Sequence, residues 1–209
     1  IADVLGSTEG GMGQSIMTKD TPPSETAKFT LLPVSKVLLP DGSREVVPGS
    51  GEVGTVAQSG MVPLGYYKDP EKSAKTFKEI DGTRWAFIGD MATIDADGTI
   101  NLLGRGSNCI NTGGEKVFPE EVEEALKLHP DVADALVFGL EDERFGNRVA
   151  GIVSLEQGGS ADAGDILEAT RKLLASYKLP KDLLVVPDVP RAPNGKADYT
   201  SAIALMADS

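Results

Sequence analysis

The sequence predicts an α+β chain in two parts: β-rich hairpins or a small barrel over residues 1–105, then a compact α+β unit over 106–209. Two observations predict it. Up to about Arg105, short β-rich runs alternate with tight-turn signals such as Pro40-Asp41-Gly42 and Gly49-Ser50-Gly51, with little helix between them. Beyond it the texture changes to amphipathic helices set between continuous apolar runs, the pattern of buried strands covered by helices.

In order along the chain, "IADVLGSTEGG" reads as the end of a strand running into a glycine loop, and "KFTLLPVSKVLL", residues 28–39, as short strands. "DPEKSAKTFKEI", residues 69–80, is a helix candidate with Asp69 as N-cap and Pro70 in the first turn. "RWAFIGDMATIDADGTINLLGR", residues 84–105, reads as two strands joined by a turn in which Gly98 takes positive φ. "GSNCINTGG", residues 106–114, reads as the connection between the two parts. "FPEEVEEALKLH" sets Pro119 and glutamates at a helix start, where the dipole favours them, with Val122, Ala125, Leu126 and His129 on one face. "VADALVFG" and "RVAGIVSLE" are buried-strand patterns. Ile166, Leu167, Thr170, Leu173, Leu174 and Tyr177 trace a second amphipathic helix, "DLLVVPDV" reads as a further strand, and the low-complexity stretch "EQGGSADAGD" as a surface loop.

With 209 residues and 40% apolar content, the chain can bury one sizeable core or two smaller ones. Twenty basic residues against thirty-two acidic ones give a formal charge of -12, and no Lys/Arg run offsets it, so nucleic acid is not an expected partner. The single cysteine, Cys109, cannot form an intrachain disulfide, and the single histidine, His129, cannot build a metal site with it. No apolar run approaches the ~20 residues of a membrane span, and no signal peptide is recognisable. A soluble, cytoplasmic protein is the expectation. Because the chain begins at Ile1 and enters a glycine loop at once, a fragment of a longer protein is also expected.

Four segments join glycine turns to a polar or charged residue. In "LGSTEGGMG", Gly6 and its neighbouring glycines permit close backbone approach to a ligand, Ser7 and Thr8 offer hydroxyls, and Glu9 a hard oxygen for Mg²⁺; a plain loop is the other reading. Asp90 of "FIGDM" suits two ribose hydroxyls or an ordinary turn. Arg105 stands at the junction of the two parts, with the Gly113-Gly114 turn, or mere linker, beyond it. Lys196 of "APNGKADY" is either a functional cation or a solvated surface lysine.

Taken together, these segments resemble the C-terminal portion of the adenylate-forming enzymes, the acyl-CoA synthetases, luciferases and peptide-synthetase adenylation domains. "GSTEG" at 6–10, "GYYKDPEKSAKTF" with "IGD" at 65–90, "GRGSNCINTGGEKVFPEEVE" at 104–123 and "PNGKAD" at 193–198 occur in order, along essentially the whole chain. The wording "CINTGGEKVFPEEVE" is most similar to acyl-CoA synthetases of actinobacterial lipid and steroid side-chain degradation.

The resemblance implies that residues 1–105 are the incomplete end of a large AMP-binding domain and 106–209 a small mobile domain. The activity implied is an ATP-dependent carboxylic acid:CoA ligase, with ATP, Mg²⁺ and coenzyme A as substrates or cofactors and the upstream part of the same enzyme as partner. Thr8 matches a threonine on ATP phosphate, alongside Gly6 and Ser7, and Glu9 the glutamate near Mg²⁺. Asp90 and Arg105 match the residues that contact the ribose and the nucleotide, and Lys196 the lysine that supports adenylate formation. Thr112, Gly113, Gly114 and Glu115 match the loop that lines the pantetheine path in the second half-reaction, and Ser107 the hinge, where relatives usually have Asp or Lys. Leu5 replaces a frequent adenine-stacking tyrosine and Ile88 the threonine of "TGD". The alternatives are loading of a carrier protein, or a non-catalytic nucleotide-binding or interaction module; the latter would be expected to lose Lys196 or Asp90, and both are present.

Overall fold

A computed structural model describes residues 2–16 and 28–208. The chain forms two compact units, Ile1–Ser107 and Asn108–Ser209.

The first unit is an antiparallel sheet built from β1 (Ala2–Ser7), β2 (Gly10–Ile16), β3 (Lys28–Leu31), β4 (Ser35–Leu38), β5 (Gly54–Gln58), β6 (Phe77–Ile80), β7 (Thr83–Ile94) and β8 (Ile100–Arg105). The strand order β1-β2-β3-β8-β7-β5-β4 does not close into a barrel among the described residues, and β6 pairs with the first half of β7. Its main core gathers Leu5, Met12, Phe29, Val37, Val56 and Ile100 from five of these strands and from β8. Leu38, Ala57 and Phe87 point to the opposite face, as period-2 alternation requires. Leu5 is buried in the main core and Ile88 packs against it, so both departures from the family wording serve packing in this unit.

One element differs from the expectation. α1 covers only Pro70–Thr76, capped by the Asp69 carboxylate on Lys72 N, and Phe77 turns the chain into extended geometry. Phe77 is buried and pairs with Ala86, while Asp81 (φ 50°) and Gly82 (φ 72°) close a two-residue turn whose twist matches the β6–β7 hairpin. Burial of Phe77 and the Asp-Gly turn together override helix continuation.

In the second unit, β9 (Ile110–Thr112) and β10 (Glu115–Val117) form a hairpin, followed by α2 (Pro119–Lys127), β11 (Val132–Asp142), β12 (Gly146–Leu155), α3 (Ala163–Thr170), β13 (Asp182–Val185) and α4 (Tyr199–Ala207). The sheet order is β10-β9-β12-β11, with β13 parallel to β12. Val137, Val149 and Val153 face α2 and α3, meeting Val122, Leu126 and Ile166, whereas Leu136, Phe138 and Ile152 face α4 and meet Ala202. The result is three layers, and it explains why β11 and β12 are apolar without alternation: both faces are covered.

"GSNCINTGG" is therefore more than a connection, because its second half is strand β9. α3 also stops earlier than its apolar pattern, at Thr170, whose hydroxyl bonds back to Ile166 O at 2.8 Å. Leu173 and Tyr177 lie beyond it, exposed, while Leu174 still packs on the core. His129 lies just past α2, where its Nδ1 accepts from Asp131 N at 3.2 Å. Of the expected surface loop 156–165, the last three residues are the first turn of α3, capped by Asp162, and the rest is tied down by the Asp131 carboxylate, which accepts from Ser160 N and Ala161 N at 2.9 and 3.0 Å.

Candidate functional site

In the first unit the glycine motif is the tip of the β1–β2 hairpin, not an open loop. Ser7 pairs with Gly10, leaving Thr8 and Glu9 as the turn residues, and Glu9 N donates to Ser7 Oγ at 3.2 Å. Gly10 has φ 148°, and a Cβ there would fall 2.3 Å from Gln58 Oε1, so the buried Gln58 amide lies flat on the turn only because position 10 is glycine. Thr8 and Gly6 are exposed, with Ser7 partly so.

The Glu9 carboxylate does not project freely from this tip, for Tyr66 donates its hydroxyl to Oε1 in a short hydrogen bond. Tyr66 is set in place by its own segment. Its backbone N donates to Ser73 Oγ at 2.8 Å, its ring packs tilted against Phe77 at 5.5 Å, and the Lys72 ammonium sits 4.1 Å over the ring. Burial opposes ionisation of Glu9, but the Tyr66 and Ser7 hydroxyls, its own backbone N–H and the Lys72 charge outweigh it and hold the carboxyl below its ordinary value. Burial, and then the Glu9 carboxylate, push the Tyr66 hydroxyl up. Glu9 thus stays an anion and Tyr66 a donor.

Asp90 lies on β7 directly opposite Arg105 on β8, and Arg105 Nε donates to Asp90 Oδ1 at 3.0 Å. Gly89, at φ 87°, supplies the kink that precedes Asp90. Between the β7 segments that pair with β6 and β8, residues 87–89 have no partner on that edge. Burial pushes the Asp90 carboxyl up, Arg105 offsets part of that rise, and the Glu9 charge adds to it. Arg105 in turn lies near enough to Tyr66 to favour its ionised form. Glu9, Tyr66, Asp90 and Arg105 therefore make one electrostatic cluster in which two acids are met by an arginine and a phenol.

In the second unit, Thr112 and Glu115 are the last pair of the β9–β10 hairpin, and Gly113 (φ 59°) and Gly114 (φ 91°) form its two-residue turn. Gly113 N donates to Phe145 O at 3.0 Å and Thr112 pairs with Gly146, which seats the hairpin on the start of β12. Lys196 stands on a second turn. Arg191 and Ala197 form its base, Gly195 takes φ 79°, Ala192 N donates to Lys196 O at 2.8 Å, and Lys196 N donates to Asn194 Oδ1 at 3.1 Å. The Lys196 ammonium is exposed and forms no ion pair among the described residues. Ser107 lies inside a short 3₁₀ turn, Gly106–Asn108, at the boundary of the two units.

The first unit thus gathers Glu9, Asp90 and Arg105 at one place, and the second presents Lys196 and the 112–115 turn on two separate hairpins. Tyr66 and Lys72 belong to the first cluster although sequence reasoning passed over them. Both sit within "GYYKDPEKSAKTF", where the helix signals drew attention away from what precedes the helix. No three His, Cys, Asp or Glu side chains gather as a metal cage among the described residues.

The first unit thus presents an acid–arginine cluster beside a hairpin tip, and the second a lysine turn. Residues 121–196 match the family described as AMP-binding enzyme C-terminal domain. A medium/long-chain-fatty-acid–CoA/3-oxocholest-4-en-26-oate–CoA ligase of Mycolicibacterium smegmatis is 47% identical over 200 residues, 95% of this chain and 36% of that protein. A 3-oxocholest-4-en-26-oate–CoA ligase of Rhodococcus rhodochrous is 46% identical over 202 residues, again 95% of this chain and 36% of that protein. Among solved structures, ATP-bound MatB from Rhodopseudomonas palustris matches with a TM-score of 0.77 at 28% identity, covering 96% of this chain and 39% of that one. The chain belongs to the AMP-binding, adenylate-forming enzymes and corresponds to their C-terminal portion. It spans 36% of the length of the curated relatives it matches.

Proposed function

We propose that this chain is the C-terminal part of an ATP-dependent carboxylic acid:CoA ligase acting on fatty or steroid side-chain acids. The observation that carries the reading is the grouping of Glu9, Asp90 and Arg105 in one cluster of the first unit. The names of the relatives supply the substrate class.

In the first half-reaction, the acid's carboxylate oxygen attacks the α-phosphorus of ATP, pyrophosphate leaves, and an acyl-adenylate forms. Two anions approach each other in that step, so a cation placed where their charge develops lowers the barrier. Lys196 has an exposed ammonium that forms no ion pair among the described residues. Asp90 would accept from the ribose hydroxyls, Arg105 would hold both Asp90 and the nucleotide, and Gly6, Ser7 and Thr8 would present backbone and hydroxyl groups to phosphate. In the second half-reaction the coenzyme A thiolate attacks the acyl carbon and AMP leaves, and the tight 112–115 turn would line the pantetheine path. Ser107, at the unit boundary, would be the hinge between the two.

Mg²⁺ fits the donor set at Glu9. This ion is held by one or two carboxylates together with substrate phosphates, and the Tyr66 and Ser7 hydroxyls keep Glu9 ionised as a hard oxygen donor. When bound, it would neutralise phosphate charge.

The test is Lys196→Ala in the complete enzyme. Acid-dependent ATP–pyrophosphate exchange is expected to fall by about 100-fold or more, with thioester formation from preformed acyl-adenylate largely kept. Unchanged exchange would remove Lys196 from the reaction.

A further inference from the structure

We propose that Arg191 is the positioning residue for Lys196, and that its two-pronged pair with Asp134 of β11 aims the lysine turn. The inference rests on the reading of Lys196 given above, but its geometry stands apart from it. Residues 193–196 are all exposed, so the tip of the turn has no packing of its own and is held only at its two ends. At one end Asp198 caps α4, accepting from Ser201 N at 3.1 Å. At the other, Arg191 Nη2 and Nε donate to the two oxygens of Asp134 at 2.7 and 3.0 Å, and Nη2 also donates to Ala135 O at 3.2 Å. That fork fixes the guanidinium plane as well as its position, which a single contact would not do.

The lysine is coupled directly to this anchor. Arg191 bridges Ala197, the residue after Lys196, and Ala192, the residue after Arg191, donates to Lys196 O. Moving Arg191 off β11 therefore moves the backbone that carries the ammonium. The other charged groups facing Arg191 are Glu123 of α2 and the Tyr199 hydroxyl of α4. Glu123 is already engaged, its Oε1 accepting from Val137 N at 2.9 Å, so Asp134 is the carboxylate that takes the fork.

Two measurements test the proposal, with Arg148→Ala as control. Arg148 makes another arginine–aspartate pair of this unit, Nε to Asp182 Oδ2 at 2.6 Å, well away from the lysine turn in sequence. In the 209-residue chain, Arg191→Ala is expected to speed amide exchange at Ala192 and Gly195 about ten-fold or more, Arg191→Lys less, and Arg148→Ala not at all. In the complete enzyme, assayed with medium- and long-chain fatty acids and a steroid side-chain acid, Arg191→Ala should slow ATP–pyrophosphate exchange about 10–100-fold. Thioester formation from preformed acyl-adenylate should stay within about two-fold, with partial rescue by Arg191→Lys. Unchanged amide exchange in Arg191→Ala would overturn the proposal. So would equal losses in both half-reactions, or an equal adenylation loss in Arg148→Ala. If Lys196→Ala itself adenylates normally, the reading of Lys196 fails, and the amide exchange alone decides whether Arg191 holds the turn.

Discussion

Asp90 and Arg105 face each other across β7 and β8 at 3.0 Å, yet the aspartate side chain is only 10% exposed and the arginine 58%. The pair is asymmetric: an almost buried carboxylate is neutralised by a cation that itself remains in water. Burial and the nearby Glu9 charge push Asp90 up, and Arg105 is what opposes them.

Removing the arginine therefore costs more stability where Asp90 is ionised than where it is protonated. Arg105→Met should destabilise the first unit by about 1–2 kcal/mol at neutral pH, a figure kept small because the arginine is largely solvated. Below the raised Asp90 value the carboxyl is protonated, and the loss should shrink as pH falls through it. Urea unfolding followed from neutral pH into acid reads this directly, and a loss that does not change with pH would show that the arginine acts by packing and not by charge.

The Glu9–Tyr66 pair makes the opposite prediction about sign. With its folded value held below the ordinary range, Glu9 contributes stability above its unfolded value and loses it as pH falls. Tyr66→Phe removes the hydroxyl but leaves the burial, so the Glu9 carboxyl should titrate higher. Because Glu9 is largely solvated, the stability change should stay within about 1 kcal/mol. Carboxyl-carbon NMR titration checks it, and an unmoved Glu9 midpoint would mean that Tyr66 does not set its charge.

Much of this was legible in the sequence, and for definite reasons. The Gly98 turn, the Asp69 cap and the doubly buried strands each have a local cause, and the order of the four motifs marked the family. Other features depended on partners remote in the chain. Tyr66 reaches Glu9 across 57 residues and Arg191 reaches Asp134 across 57, distances over which local periodicity carries no information. The end of α1 is a different case, since its signal was present: Asp81-Gly82 is a strong hairpin turn, but the helix pattern before it ran on through Phe77. The Gly113-Gly114 pair, which the sequence left open between a turn and a linker, is a two-residue hairpin turn between the strands of Ile110 and Val117, both buried.

A chain that carries Lys196, Asp90 and Arg105 without a phosphate loop should not turn over. The resemblance to adenylate-forming enzymes implies a glycine- and Ser/Thr-rich loop with its own lysine as the main donor set for the β- and γ-phosphates, and these 209 residues hold no such loop. The purified 209-residue chain is expected to show no acid-dependent ATP–pyrophosphate exchange. Exchange above the no-acid background would mean that the residues present suffice for adenylation.

Glu123 sets a pH dependence in the second unit. β11 is the edge strand of its sheet, and the Glu123 side chain reaches from α2 to accept one of its backbone N–H groups, from Val137 at 2.9 Å. Burial pushes this carboxyl up to about 7; Glu120 adds to the rise, while the Val137 bond, Arg191 and Lys127 oppose it. The Tyr199 hydroxyl, raised to about 12 by burial and then by Glu123 and Glu120, faces the same space and stays protonated. From the unfolded value of 4.5 up to about 7, the folded unit keeps a proton that the unfolded chain releases, so stability falls across that window and levels off above it. The full drop amounts to about 3–4 kcal/mol. Glu123→Gln keeps an oxygen for Val137 N and removes the titration. It should match the parent near about pH 4 and exceed it by about 3–4 kcal/mol at about pH 8, with amide exchange at Gly195 unchanged because the Arg191–Asp134 fork is left intact. Urea unfolding followed in the second unit is the measurement. A gain of the same size at both pH values would mean that the glutamate destabilises through shape, and a loss at the higher pH that its charge is better compensated by Arg191 than its burial allows.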